Sequence, residues 1–128
     1  ESIMDANWRE HAEFRNNRLR ACCDKVAAGA DAWLAELGYV REGLFYRVKP
    51  GALKVIAAFG HGGETAAMLT RLFNLPFPLA CQAMGPDYTG ITIVDFPDRI
   101  GELVAPRFEL MNDARHIRGM TVENFYGA

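Results

Sequence analysis

A histidine and two glycines stand where an apolar run meets a helical pattern. His61, Gly62 and Gly63 follow the apolar residues 55–59, and apolar side chains recur at helical spacing from residue 64 onward. Ligands of α/β proteins bind at the carboxyl ends of strands, where the first N–H groups of the next helix are free donors. The pattern predicts a phosphate-binding corner contacted by His61 and Gly62. A tight turn carrying a hydrogen-bonded histidine explains the same residues equally well.

The elements that would position this corner follow from periodicity. Residues 5–37 carry a helical stripe, as one helix or two in series, and residues 44–48 are a short strand candidate before the turn at residues 49–51. Residues 53–59 form either the second strand of a hairpin or, because they are continuously apolar, a central parallel strand; we favour the parallel strand. Residues 79–84, 90–96 and 107–110 are further strand candidates, residues 99–104 are ambiguous, and residues 120–122 have weak strand character. The fold class expected is α/β, with helices packed on a mostly parallel mixed sheet.

The bulk composition narrows the classes of function. The 128 residues are 50% apolar and 23% charged, which is typical of one globular domain. A net charge of -2 gives no reason to expect a basic face, so we expect no nucleic-acid partner and no membrane partner. We expect a cytoplasmic location, because no apolar run approaches the roughly 20 residues that span a bilayer and residues 1–5 show no signal-peptide pattern. Three cysteines, at positions 22, 23 and 81, form no disulfide framework and no metal-binding spacing, so buried free thiols are expected.

Other residues with reactive or cationic side chains have plainer explanations. His116 lies in an Asn-Asp-x-x-His segment and is expected to hydrogen-bond the chain's last turns. Arg15 and Arg18 could face a phosphate, but a solvated helix surface accounts for them better. Several aromatic residues either line a pocket or serve packing, and both readings stay open; they are Tyr46, Tyr88, Phe125 and Tyr126.

Four ordered segments resemble one family. Residues 55–63, 69–76, 90–94 and 110–117 look like the C-terminal part of the histidine phosphatases, the phosphoglycerate mutase-like superfamily, in order and in spacing. The match covers roughly residues 54–117, and residues 33–39 resemble one bacterial branch. The resemblance implies a three-layer phosphoglycerate mutase-like fold, incomplete at its N-terminal side, with residues 1–128 as the C-terminal part of a single domain.

The resemblance also implies a chemistry. In that family a histidine in an Arg-His-Gly motif attacks phosphorus, and a second histidine, matching His61, contacts the phosphoryl group. Imidazole is a competent nucleophile near neutral pH, and a backbone donor such as Gly62 N–H would stabilise the same oxygens. The implied activity is that of a phosphomonoester hydrolase or mutase acting on a small phosphorylated substrate, with no cofactor and no metal.

The sequence departs from the family because it contains no Arg-His-Gly motif. His11 lies in a helical pattern and His116 near the C-terminus, so neither replaces the nucleophile, and Glu1 is a weak candidate for the acid. We therefore expect a missing N-terminal segment or a second chain to supply the nucleophile, and the 128 residues alone to be inactive. The alternative is a truncated, non-catalytic module that binds a phosphorylated ligand or a protein. An apolar sheet edge left without its neighbour also predicts a partner segment or a homo-oligomer.

Overall fold

The computed structural model describes residues 4–15, 17–52 and 55–119. A 3-10 turn, Trp8–Glu10, and a short helix α1, Ala12–Arg15, precede the long helix α2, Leu19–Glu36. The predicted helical stripe is therefore confirmed as helices in series. Gly38 ends α2 with a φ of 97°, and a Cβ there would lie 2.7 Å from the Ala52 Cα, so both the conformation and the space require glycine.

A three-stranded antiparallel sheet follows α2. Strands β1, Tyr39–Glu42, and β2, Phe45–Val48, form a hairpin, and β2 also pairs with the two-residue strand β4, Leu103–Val104. Gly43, with a φ of 62°, begins the two-residue turn, as hairpin geometry favours. The principal core lies between this sheet, α2 and the helix after His61, and its buried members are Leu34, Tyr39, Tyr46, Val48, Leu72 and Val104.

The second half of the chain contributes two helices and a two-stranded sheet. Helix α3, Gly62–Phe73, buries a stripe of alanines and leucines and ends at Asn74, whose φ is 57°. Helix α4, Phe77–Ala83, follows Pro76. Strands β3, Ile91–Asp95, and β5, Arg107–Asp113, pair antiparallel, and the ring of Phe108 stacks on Phe73 of α3 at 3.9 Å.

The expected fold class, α/β with helices packed in three layers on a mostly parallel mixed sheet, is wrong. The two sheets, β1-β2-β4 and β3-β5, are both antiparallel throughout the residues that the structure describes. Residues 55–60, the exposed segment hereafter, form no strand. The side chains of Val55 and Phe59 are 92% and 97% exposed, so this apolar run is not covered on either face. An apolar pattern marks a segment suited to burial, but a strand also needs a neighbouring backbone, which the described part of the chain does not supply.

The other strand predictions have different outcomes. Residues 79–84 belong largely to α4, because Pro78 suits the first turn of a helix and a short apolar run does not by itself distinguish helix from strand. The strands predicted at residues 44–48, 90–96 and 107–110 are confirmed as β2, β3 and β5, although β2 does not pair with residues 55–59. The weak strand at residues 120–122 lies outside the described residues.

Side-chain hydrogen bonds join the C-terminal end of α3 to its neighbours. Arg71 forms a bidentate ion pair with Asp31 of α2, at 2.6 Å for the shorter contact. Arg41 of β1 donates to the Tyr46 hydroxyl at 2.9 Å, to the Arg71 carbonyl at 2.8 Å and to Asn74. This end of α3 is therefore held by two elements at once.

Among the described helices, none has the length and apolar character required to cross a bilayer.

Candidate functional site

His61 occupies the predicted junction between the exposed segment and α3. Its backbone is extended, with φ -102° and ψ 161°, and its carbonyl accepts the Thr65 N–H at 2.9 Å, which begins the helical hydrogen bonding. The residue is exposed, and no hydrogen bond or ion pair joins its ring to another described residue. The imidazole is therefore open to a ligand, which favours the phosphate interpretation over that of a hydrogen-bonded turn histidine.

The first turn of α3 presents unused backbone donors. The N–H groups of Gly62, Gly63 and Glu64 have no acceptor among the described residues, and no side chain caps this helix end. Both glycines are exposed, and a Cβ on Gly63 would meet open space. Packing therefore does not require glycine at position 63. Its absence of a side chain leaves the amides and the positive end of the helix dipole accessible to an anion.

Glu64 lies at the candidate site, although the motif around His61 did not indicate it. Its carboxylate lies beside Gly60, with Oε2 3.7 Å from the position that a Cβ on Gly60 would take, and it forms no ion pair with another described residue. A carboxylate in the first turn stabilises the helix through the dipole, but it also repels an approaching anion. An acidic residue immediately after two glycines at a helix start could have indicated from the sequence that an approaching anion would be repelled there.

The loop between α4 and β3 borders the glycines and is held by Asn112. A Cβ on Gly62 would lie 3.6 Å from the Pro86 ring. Asn112, with a φ of 47°, accepts the Asp87 N–H at 2.9 Å, and its amide group donates to the Gly85 carbonyl at 3.3 Å and to the Asp87 carboxylate at 3.2 Å. A Cβ on Gly90 would collide with the Asn112 side-chain oxygen. The Asn-Asp-x-x-His segment thus fixes the loop beside the candidate site.

The other two histidines contact different parts of the chain. His116 shares a hydrogen bond with the Thr89 hydroxyl at 2.7 Å, in the loop between α4 and β3, whereas the sequence predicts a bond to the chain's last turns. His11 lies 3.5 Å from the Asp5 carboxylate. Neither contact involves His61, so no second imidazole is paired with it among the described residues.

No hydrogen bond or ion pair joins His61 to the remaining candidates that the structure describes. Arg15 donates to the Glu10 carbonyl at 3.1 Å, and Arg18 is exposed at the start of α2. Tyr46 is fully buried in the principal core, where burial raises its pKa above the ordinary value, and Tyr88 is 66% exposed. Glu1, Phe125 and Tyr126 lie outside the described residues.

An apolar groove of about 330 Å³ runs beside the candidate site. Its lining comes from α2, α3, β3 and the exposed segment, and it includes Trp33, Leu37, Ile56, Ala58, Phe59, Gly60, Glu64, Met68, Thr92 and Val94. Four residues of the exposed segment thus line the groove, and the segment ends at the candidate phosphate contacts.

The metal-binding side chains and the cysteines complete the inventory of reactive groups. Residues 4–15, 17–52 and 55–119 contain no group of three metal-binding side chains. Cys22 and Cys81 are exposed and Cys23 is buried, all as free thiols, so burial is confirmed for one of the three. Burial raises the pKa of Cys23 to about 11, which keeps it protonated and unreactive near neutral pH. The described residues therefore offer one candidate chemistry, anion recognition at His61 and the start of α3.

Comparison of the chain with protein-family models, with curated proteins and with solved structures found no match. Its resemblance to the histidine phosphatases stays a prediction from the four ordered segments.

Proposed function

We propose that this chain supplies the phosphate-contacting half of a phosphomonoester hydrolase or mutase that works through a phosphohistidine. The observation that carries the proposal is the combination at the start of α3: an exposed His61 and three backbone N–H groups after it, all without a hydrogen-bond partner among the described residues. The resemblance of residues 54–117 to histidine phosphatases supports it independently. The substrate is a small phosphomonoester, and the cytoplasmic location stays a prediction.

In the proposed cycle, a histidine outside this chain attacks phosphorus. His61 and the Gly62 N–H bind the equatorial oxygens and stabilise the charge that develops on them. An acid, also outside this chain, protonates the leaving alcohol, and water then hydrolyses the phosphohistidine. Glu64 opposes the anion in this scheme, so binding to the chain alone is expected to be weak.

The binding half of the proposal is tested on this chain by NMR titration with inorganic phosphate and with orthovanadate. We expect saturable shifts at the Gly62, Gly63 and Glu64 amides that weaken about fivefold or more in His61→Ala, because one charge-assisted hydrogen bond is lost. His11→Ala, whose ring contacts Asp5, is the matched control and should bind as the parent does. Shifts that survive unchanged in His61→Ala would exclude His61 as the contact.

The catalytic half needs the complete protein encoded by the reading frame that contains this chain. Turnover of p-nitrophenyl phosphate should fall about 10²- to 10³-fold in His61→Ala, the range seen when one transition-state donor is removed. Full activity in that variant would reject the assignment.

The non-catalytic alternative is favoured by one specific observation. His11 and His116 both contact other residues, so no second described histidine is paired with His61 to attack a phosphate bound there. Phosphate binding that depends on His61, together with no turnover by the complete protein, would select this binding module over the enzyme.

A further inference from the structure

The groove beside the candidate site borders the candidate phosphate contacts. Gly60 and Glu64 flank residues 61–63 in the sequence, and both of them line the groove. Gly60 has no side chain, and a Cβ built there would lie 3.7 Å from the Glu64 carboxylate. A phosphomonoester whose phosphate is bound at His61 therefore has a neighbouring cavity for its alcohol portion.

The charges that line the groove are acidic. Its described lining contains two carboxylates, those of Glu64 and Asp95, and it contains no lysine, arginine or histidine. The Arg107 guanidinium donates to Asp95 at 2.8 Å, whereas Glu64 forms no ion pair with another described residue. Because complementary charges favour association, the Glu64 carboxylate is suited to a cationic group on the ligand.

The uncharged part of the lining suits the carbon chain of an amine. Four aromatic side chains contribute to it, and they are Trp33, Tyr39, Phe59 and Phe96. Aromatic rings attract ammonium groups through their π electrons, and apolar side chains favour the burial of methylene groups. An alcohol that combines an apolar chain with an ammonium group therefore matches both the rings and the free carboxylate.

Glu64 would weaken the binding of a phosphate that brings no positive charge with it. A carboxylate one residue after the two glycines repels that phosphate, and repulsion of the wrong ligand is a common source of specificity. We propose that Glu64 determines specificity, and that the substrate is the phosphomonoester of an amine-bearing alcohol whose ammonium group pairs with Glu64 in the groove. This inference rests on the proposed function and names its substrate class.

The test compares matched pairs of phosphomonoesters by NMR titration of this chain. One member of each pair is an aminoalkyl phosphate, and the other is the alkyl phosphate in which a methyl group replaces the ammonium. The pairs increase in chain length from O-phosphoethanolamine upward. In the best pair the aminoalkyl phosphate should bind about three- to fivefold more tightly, which is the range of a partly exposed ion pair. Shifts at the Met68 amide, on a residue that lines the groove, should accompany those at Gly62.

Two glutamine substitutions remove the same charge at different places. Glu64→Gln should abolish the preference for the aminoalkyl phosphate, leaving the two members of each pair within about twofold of each other. Glu109→Gln, at an exposed position on β5 outside the groove lining, should keep the preference of the parent. If Glu64 served only to stabilise the start of α3, its substitution would change both affinities by the same factor. Circular dichroism verifies that both variants fold.

The failure of this inference differs from the failure of the proposed function. If inorganic phosphate binds in a His61-dependent way but no pair shows a preference for the ammonium group, the substrate class is wrong and the phosphate contact stands. A preference that persists in Glu64→Gln would likewise reject Glu64 as its source. If inorganic phosphate does not bind at the Gly62 amide at all, the proposed function fails and this inference fails with it.

Discussion

Asn112→Ala is the substitution that tests how the loop beside Gly62 is held. The change removes three side-chain hydrogen bonds, one from the Asp87 N–H and two to the Gly85 carbonyl and the Asp87 carboxylate. It also places alanine at a φ of 47°, a region that asparagine tolerates better. The bond from the Asn112 N–H to the Thr92 hydroxyl, at 3.0 Å, involves the backbone and should persist.

The expected loss is about 2–3 kcal/mol. Asn112 is half-buried and Asp87 is exposed, so each lost hydrogen bond counts near the lower end of its usual range, about 0.5 kcal/mol. The left-handed backbone adds about 1 kcal/mol for alanine. For a chain of this size the sum corresponds to a decrease in Tm of about 10 °C.

Urea and thermal unfolding measure the loss of unfolding free energy. The NMR resonance of the Gly62 amide reports whether the loop between α4 and β3 moves. Asn112→Asp is the matched control, because it keeps the oxygen that accepts the Asp87 N–H. It replaces the amide donor with a second carboxylate oxygen, which would face the Gly85 carbonyl and the Asp87 carboxylate. Its stability deficit should shrink below about pH 4, where the introduced carboxyl becomes protonated and can donate. A loss under about 0.5 kcal/mol in Asn112→Ala, or a deficit in Asn112→Asp that does not vary with pH, would refute the reasoning.

Three other predictions concern single charges and thiols. Glu64→Gln should raise the affinity for inorganic phosphate about two- to fivefold, since a first-turn charge is worth about 0.3–1 kcal/mol; a weaker complex in the NMR titration would contradict this. Hydrogen bonds from Arg115 lower the pKa of Asp113 to about 2, so this carboxylate contributes stability above about pH 4 that is lost as the pH falls through about 2. Arg115→Gln should return the pKa toward its ordinary value, and a carboxyl ¹³C titration that is identical in both proteins would exclude this cause. At pH 8 iodoacetamide should modify exposed Cys22 well before its neighbour Cys23, whose pKa burial raises to about 11; equal rates by peptide mass spectrometry would show that Cys23 is accessible.

Local sequence rules were sufficient for several elements. Helix α3 was predictable because its apolar stripe begins after two glycines and ends before Pro76, and β3 was predictable from its β-branched residues. Both signals are short-range, so they do not depend on which segment packs alongside. The position of His61 at a helix start followed from the same boundary.

The pairing of strands could not be predicted in this way. Residues 55–59 have the composition of a central strand, yet a strand is defined by a neighbouring backbone, and apolar composition does not indicate whether that neighbour is present. Residues 79–83 are short and apolar, and they become helical because Pro78 suits a first helical turn.

The contacts around the site also could not be predicted from local sequence patterns. The hydrogen bonds of Asn112 span 20 to 27 residues of sequence, from Thr92 to Gly85, and depend on its left-handed backbone. Glu64 was readable as a first-turn acid, but its place beside Gly60 and in the groove is a tertiary feature. The resemblance to a phosphatase directed attention to His61 and carried no information about this neighbouring charge.

The C-terminal end of helix α3 forms more side-chain contacts than its N-terminal end, so the two ends should differ in mobility. Its C-terminal end is tied through Arg71 to Asp31 and through Arg41 to β1, whereas its first residues, from Gly62 to Glu64, are exposed and uncapped. Local opening should therefore begin at the glycine end and spread toward Leu72, so that amide hydrogen exchange slows progressively along the helix. A ligand bound at the first turn would then stabilise the part of α3 that opens most readily. Part of its binding free energy would offset the conformational entropy lost in ordering that turn.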